Sequence, residues 1–337
     1  MFKERYGDVK MELFNRTMPI QFAEKLLSKK EYVFIYTKLA NQKEDETRGD
    51  RVKEYLRPKN AYCIEYFCDG FSGEQMIMEH FIARIDEKKS NYDSLRKNEM
   101  LRFLGTLNRI SKVLVVDFTL MNSRFLGALF SVLNMIDWEE VYFCYTEPGE
   151  YKKKSIDEFD LSNVTMGYEQ IPGLISNSDG LKESDWLIFL GFEGDRAIKL
   201  EEEASYKRRY TKPFISIPAM KTEWFNHAVN QNSEFLDLRL KYRSVECIGY
   251  VSAIDPFETY QIIQEYRQGV NSLVISPIGP KPVMLGCIMD VLENVDDMLL
   301  FDNPFQEGNN TESVGDSHFY DMTYFVKNVK NKRYLEA

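Results

Sequence analysis

The stretch Lys112–Thr146, KVLVVDFTLMNSRFLGALFSVLNMIDWEEVYFCYT, decides the fold. KVLVVDF is a continuous apolar, β-branched run, SRFLGALFSVL has helical period, and EVYFCYT is β-prone again, so the order is strand, helix, strand. Strands that are apolar throughout belong in a parallel sheet covered by helices on both faces. The alternation continues downstream with the strand DWLIFLG, the helix GDRAIKLEEEA, the strand PFISI, one long helix KTEWFNHAVNQNSEFLDLRL and the strand VECIGYV. The helix PFETYQIIQEY, the strand SLVIS, the helix KPVMLGCIMDVL and the strand MLLFD complete it. The expected architecture is α/β: a doubly wound, mostly parallel Rossmann-like sheet with helices on both faces, preceded by an N-terminal α/β extension.

Upstream, Tyr32–Leu39 (YVFIYTKL) and Ala61–Phe67 (AYCIEYF) read as strands, followed by an amphipathic helix over GEQMIMEHFIARI. The polar residues 87–98 (EKKSNYDSLRKN) read as a surface connection and the best domain boundary. This divides the chain into an N-terminal α/β lobe, residues 1–95, a Rossmann-like domain, residues 96–302, and a polar segment with an aromatic tail, residues 303–337. Whether the lobe completes the same sheet is left open. The connection from Glu147 to Glu183 is too long for a turn and reads as a flap or as carrying small elements of its own. In the tail, FQEGNNTESVGD reads as a mobile polar link and HFYDMTYFVKNV as packing onto the domain rather than adding an edge strand.

The 337 residues are 44% apolar, 14% aromatic and 28% charged, which excludes disordered and collagen-like classes. Asp and Glu outnumber Lys and Arg by 53 to 43, a net charge of −10 with pI near 5.1, so no global positive field attracts nucleic acid or anionic lipid. No run approaches the roughly twenty apolar residues of a membrane span, and the mean hydropathy is −0.41. The N-terminus, MFKERYGDVKMELF, lacks the apolar stretch of a signal peptide. The cysteines Cys63, Cys68, Cys144, Cys247 and Cys287 are scattered, and His80, His227 and His318 are far apart, so a structural zinc site is not expected. These features place the chain in the reducing cytoplasm, away from membranes and extended nucleic acid.

Ligands of open α/β sheets bind along the carboxyl edge of the strands. Three strand-to-helix junctions there carry polar groups. In SLVISPIGPKPVMLG, Gly279 permits close backbone approach, Lys281 supplies charge, Pro282 suits a first helical turn, and the helix amides favour an anion. The apolar face of that helix is Val283, Leu285, Ile288, Met289 and Leu292. The competing account is a rigid turn with a solvated lysine, and the spacing of a Walker A loop is absent. In DFTLMNSR, Thr119, Asn122 and Ser123 suit a ribose or phosphate, although helix capping explains such residues equally well. In GFEGDR, Arg196 sits in a first helical turn against the dipole preference, which implies an anionic partner, either Glu193 or a ligand.

Acidic residues recur on the same edge. Asp117, Glu147, Glu193 and Asp255 are the candidates for acid–base chemistry or for holding Mg²⁺. The preference of carboxylates for helix N-termini accounts for Asp195 and Asp255 without chemistry. It does not account for Glu147, which is followed by Pro148 and Gly149. His227 reads as a packed or surface histidine, Cys144 as core, and Lys207–Arg209 in SYKRRY as closing a helix C-terminus.

The two loops DFTLMNSR and SPIGPKP resemble those of the CRISPR-associated Rossmann-fold sensors and their SAVED relatives, in which an early polar loop and a late Gly/Lys loop hold a cyclic oligonucleotide. The resemblance covers residues 110–301 as architecture, and Pro280 and Pro282 depart from the family's Gly-Gly-Thr-Lys type of turn. It implies ligand contacts at Thr119, Asn122, Ser123, Gly279 and Lys281 and a role in antiviral defence.

The leading expectation is a sensor or regulatory protein that binds a nucleotide or phosphate ligand and signals to a protein partner or a second copy. Its alternative is a metal-dependent hydrolase of a nucleotide or phosphorylated metabolite, with Mg²⁺ as cofactor. A haloacid-dehalogenase-like version is excluded because Asp117 is followed by Phe118 and Thr119 and the DxD element is missing. The third reading is a structural subunit of a larger assembly.

Overall fold

The β-branched runs form not one parallel-based sheet but two. The computed structural model describes residues 17–39, 46–68, 79–85, 88–93, 96–152, 164–171, 173–176, 184–203, 210–240, 248–268, 270–305 and 311–329. They fall into two compact units, one containing residues 17–150 with 311–329, the other residues 151–305.

In the first unit the chain runs through β1 (Thr17–Pro19), α1 (Ile20–Leu27), β2 (Val33–Leu39), α2 (Glu46–Leu56), β3 (Asn60–Cys68), β4 (Glu79–Ile85), β5 (Lys88–Asp93), α3 (Lys97–Asn108), β6 (Val113–Asp117), α4 (Ser123–Leu133) and β7 (Glu140–Tyr151). The second unit holds β8 (Val164–Gln170), β9 (Asp185–Phe189), α5 (Gly194–Glu203), β10 (Thr211–Ser216), α6 (Thr222–Gln231), α7 (Ser233–Leu240), β11 (Gly249–Val251), α8 (Pro256–Tyr266), β12 (Leu273–Pro277), α9 (Lys281–Glu293) and β13 (Met298–Phe305). The chain then returns to the first unit as β14 (Thr311–Asp321) and α10 (Thr323–Asn328).

The first sheet has eight strands in the order β1-β14-β7-β6-β2-β3-β4-β5. Strands β7, β6, β2 and β3 are parallel neighbours, and β4 and β5 extend the sheet as an antiparallel meander. One core cluster packs Ile20, Ala23 and Leu27 of α1 and Val52 of α2 against Phe34, Val115, Tyr142, Cys144 and Phe319. Among α4, β6, β7, β14 and α10, Phe118 stacks on Tyr145, and Phe130 meets both Phe143 and Phe325.

The second sheet has the order β11-β10-β9-β12-β13-β8. Its five consecutive parallel strands start in the middle at β9, step outward to β10 and β11, then return to β12 and step the other way to β13. Right-handed crossovers place the intervening helices on opposite faces, which is the doubly wound arrangement. Trp186, Ile188, Ile215, Val274 and Leu300 of the sheet pack with Ala197 and Leu200 of α5, Ala228 of α6 and Phe235 and Leu236 of α7.

The α/β, mostly parallel, Rossmann-like expectation holds, but the division of the chain differs from the one read at residue 95. β2 pairs with β6 in parallel register, Val33 with Leu114 through Ile35 with Val116, so residues 17–93 and 96–150 share one sheet. The expected helix GEQMIMEHFIARI is strand β4 over Glu79–Ile85, paired to β3 from Ile64↔Ala83 to Cys68↔Glu79; residues 73–78 lie outside the described residues. The expected surface connection contains β5, a polar edge strand (KKSNYD). Lysines on an edge are a common guard against strand addition, and they conceal a strand from hydropathy. The long helix is two, divided at Asn232, a buried residue whose Nδ2 donates to the Gly191 and Ala228 carbonyls, both at 2.8 Å. The connection after Glu147 carries β8, which pairs antiparallel with β13. The aromatic tail is neither surface packing nor an edge: β14 lies between β1 and β7. Lys207–Arg209 and Cys247 lie outside the described residues. Among the described residues, no helix is long and apolar enough to cross a membrane.

Candidate ligand-binding site

In the second unit the strand order reverses between the parallel neighbours β9 and β12. In this class of sheet ligands bind at that reversal, beyond the carboxyl ends of the strands. Three residues expected at a ligand site, Arg196, Gly279 and Lys281, belong to the two junctions that border it.

The junctions lean on each other. The Ile278 N–H donates to the Phe189 carbonyl at 3.0 Å. A β-carbon on Gly191 would stand 2.5 Å from the Ile278 oxygen, and one on Gly279 would stand 3.0 Å from the Leu190 oxygen. The mutual packing of the two turns therefore requires glycine at 191, and a side chain at 279 would have to displace the Leu190 carbonyl by a few tenths of an ångström. Asn232 fixes the first turn through its bond to the Gly191 carbonyl.

Helix α9 begins at Lys281 after Pro280, which is extended (φ −60°, ψ 149°) and supplies no side-chain cap. Pro282 has no N–H, so it leaves one fewer orphan donor in the first turn. The other first-turn amides have the positive end of a 13-residue helix behind them. Lys281 and Gly279 are half-buried. Arg196 Nη1 pairs with Glu193 Oε2 at 2.7 Å, with both side chains less than a fifth exposed. The anionic partner that the position of Arg196 called for is thus present in its own turn. Beyond the first junction, Phe192 meets Trp224 edge to face at 5.7 Å and His227 at 5.5 Å, and Lys221 lies 5.3 Å from the centre of the Trp224 ring.

Asp255 is a helix cap. Its Oδ1 accepts from the Phe257 N–H at 2.9 Å and the Glu258 N–H at 3.4 Å. Burial, with the Asp255 charge second, raises the Glu258 carboxyl above its usual range.

The remaining candidates lie in the first unit, at the carboxyl ends of β6 and β7. Asp117 Oδ1 accepts from the Thr119 N–H at 3.0 Å, and Thr119 Oγ1 accepts from the Thr146 N–H at 2.9 Å. Thr146 Oγ1 lies 2.9 Å from Ser317 Oγ. Asp117 and Thr119 are buried and tied into this chain of bonds. Asn122 caps α4, its Oδ1 accepting from the Arg124 N–H at 2.7 Å, and Ser123 is the first helical residue. Glu147 Oε1 lies 2.5 Å from His318 Nε2, with side-chain exposures of 10% and 13%. Burial pushes the Cys144 thiol well up, with the Asp117 charge adding to it, so this cysteine is core and not nucleophile.

The two loops expected to form one pocket therefore stand on different sheets: Thr119, Asn122 and Ser123 on the first, Gly279 and Lys281 on the second. The carboxylates divide likewise, Asp117 and Glu147 in one unit, Glu193 and Asp255 in the other. Among the described residues, no three His, Cys, Asp or Glu side chains are placed to hold a metal ion together. Sequence reading missed Asn232 and the pairing of His318 with Glu147. The latter joins residues 171 apart and has no local signal. No protein-family model, curated protein or solved structure gives a significant match to this chain.

Proposed function

We propose that the carboxyl edge of the second unit binds a small phosphate-bearing ligand, a nucleotide foremost, and that the protein is a sensor or regulatory protein. The observation that carries this reading is the N-terminus of α9, which has no side-chain cap and holds Lys281 in its first turn, at the point where the strand order reverses. A helix N-terminus of this kind offers amide donors and a partial positive charge without any conformational rearrangement. Phe192, half-buried beside the first junction, adds an aromatic ring of the kind on which a base stacks. A role in defence rests on the loop resemblance alone.

The hydrolase reading is the weaker one. Glu193 is engaged by Arg196, Asp255 by the α8 amides and Asp117 by Thr119, so each carboxylate has a structural task. For a sensor, differential affinity between states is sufficient and no reaction is required.

The test is a thermal-shift panel of ATP, dinucleotides and cyclic oligonucleotides, with and without Mg²⁺. A ligand at a hundred times its Kd stabilises the native state by about 2.7 kcal/mol. The expected result is a shift with at least one of these compounds that Lys281→Ala abolishes while the unliganded melting temperature stays the same. A shift retained in Lys281→Ala refutes the site, and EDTA-sensitive turnover of the bound compound would restore the hydrolase.

A further inference from the structure

The amino edge of the first unit's sheet carries a feature that the proposed function does not use. There the ends of α1 and α2 and the starts of β2 and β3 enclose a cleft of about 750 Å³, within the usual range for small-molecule sites. Its lining holds five cations, Lys29, Lys30, Arg51, Arg57 and Lys59, against the carboxylates Glu24, Glu31 and Glu54, in a chain whose overall charge is −10.

Helix C-termini favour nearby cations, and one or two would serve that purpose. Lys30 is committed to Glu140 at 2.5 Å. Among the described residues, Lys29, Arg51, Arg57 and Lys59 make no ion pair or side-chain hydrogen bond, although three carboxylates share the cleft with them. Tyr55 also lines it, with its hydroxyl 3.4 Å from Glu24 Oε2.

Arg57 adds an independent observation. Its backbone is left-handed, φ 45°, and its N–H donates to the Lys53 carbonyl at 2.9 Å to end α2. Glycine is the usual residue at such a position, because a β-carbon there is strained. Residues in strained backbone conformations cluster at ligand clamps and other functional sites. The turn needs only the N–H of residue 57, and Arg57 is one of the residues that line the cleft.

We propose that this cleft binds a phosphate-bearing small anion through Arg51, Arg57, Lys29 and Lys59. The guanidinium forks offer paired donors to phosphate oxygens, and the lysines add charge.

The experiment is calorimetric titration of sodium tripolyphosphate and of ATP into the full chain at low salt. It is done in a Lys281→Ala background, so that the carboxyl edge of the second unit does not contribute. Saturable binding is expected, weakened at least tenfold by Arg57→Gly and by the double substitution Arg51→Ala with Lys59→Ala. Arg57→Gly relieves the backbone strain, so its melting temperature is expected to be equal or higher, which separates loss of binding from loss of fold. Absence of saturable binding to both compounds, or an affinity that neither variant changes, would overturn the proposal. Either outcome is independent of whether Lys281 binds a nucleotide.

Discussion

Replacing Arg267 by methionine is expected to destabilise the second unit by about 3–5 kcal/mol, the usual consequence of removing one partner from a buried ionic cluster. Arg267 Nη2 bonds Asp290 at 2.7 Å and also reaches Asp297. Both aspartates are fully buried. Asp290 further accepts from Gln264 Nε2 at 2.7 Å, and Asp297 Oδ1 receives the Leu273 N–H at 2.9 Å, so the cluster ties α8 and α9 to the first residue of β12. Without the guanidinium, two adjacent buried carboxylates lose the cation that they share. Urea denaturation measures the loss, and a loss below about 1 kcal/mol would mean that the cluster is solvated in solution. Adding Asp290→Asn to Arg267→Met is expected to recover part of it, a coupling that only directly interacting residues show.

The same cluster has a pH signature. Burial raises the Asp290 carboxyl well above its usual value, against the opposing effect of Arg267 and with Asp297 adding to the rise. A group whose pKa is higher folded than unfolded holds its proton longer in the native state. Its contribution is therefore fully present below the unfolded value near 3.9 and is lost as pH rises through the raised value. Urea midpoints across this window are expected to fall more steeply for the wild type than for Asp290→Asn. Equal slopes would place the proton elsewhere.

In the first unit, Phe118→Ala is expected to cost about 3–5 kcal/mol, the range for deleting a buried aromatic ring. Phe118 is fully buried between three rings, with centroids 5.4 Å from Tyr145, 5.9 Å from Phe143 and 6.0 Å from Tyr320. These neighbours come from β7 and β14, adjacent strands held in the sheet by their hydrogen bonds, which limits how far they can close over the space of a lost ring. Phe118→Leu keeps most of the volume and is expected to recover about half of the loss. Hydrogen exchange gives a sharper test, because each unit has its own core. Phe118→Ala should weaken protection in β6, β7 and β14, and Arg267→Met in α8, α9 and β12. Uniform loss across both sheets in either variant would show that the units open as one.

The alternation of strand and helix was legible in the sequence because fully buried parallel strands leave no polar face. Val113–Asp117, Asp185–Phe189 and Leu273–Pro277 are buried at every position. What was not legible is which strands share a sheet. β2 and β6 are equally apolar whether they pair or belong to separate layers, and only the register Val33↔Leu114 distinguishes the cases. Polar β5 and the mixed β14 lacked the hydropathy of a strand because one lies at an edge and the other carries a largely exposed run, Glu312–Asp316, before its buried residues. Among the candidate site residues, Asn122, Asp255 and Glu193 have the local partners that capping and ion pairing offered as the alternative to a ligand or metal role. Sequence reading failed where the partner is remote along the chain, as at Glu147 and His318.

The neighbouring positions of β7 and β14 have a consequence for how the chain assembles. The chain leaves the first sheet after Glu150 and rejoins it at Thr311, beside the strand it left, so the second unit is inserted between two adjacent strands. Closing a flexible loop of about 160 residues to pair these strands costs roughly 3 kcal/mol more chain entropy than closing a turn of about five. If the second unit forms first, that cost is met within it and the remaining gap is short. The assembly of the eight-stranded sheet is thereby coupled to prior folding of the segment inserted into it.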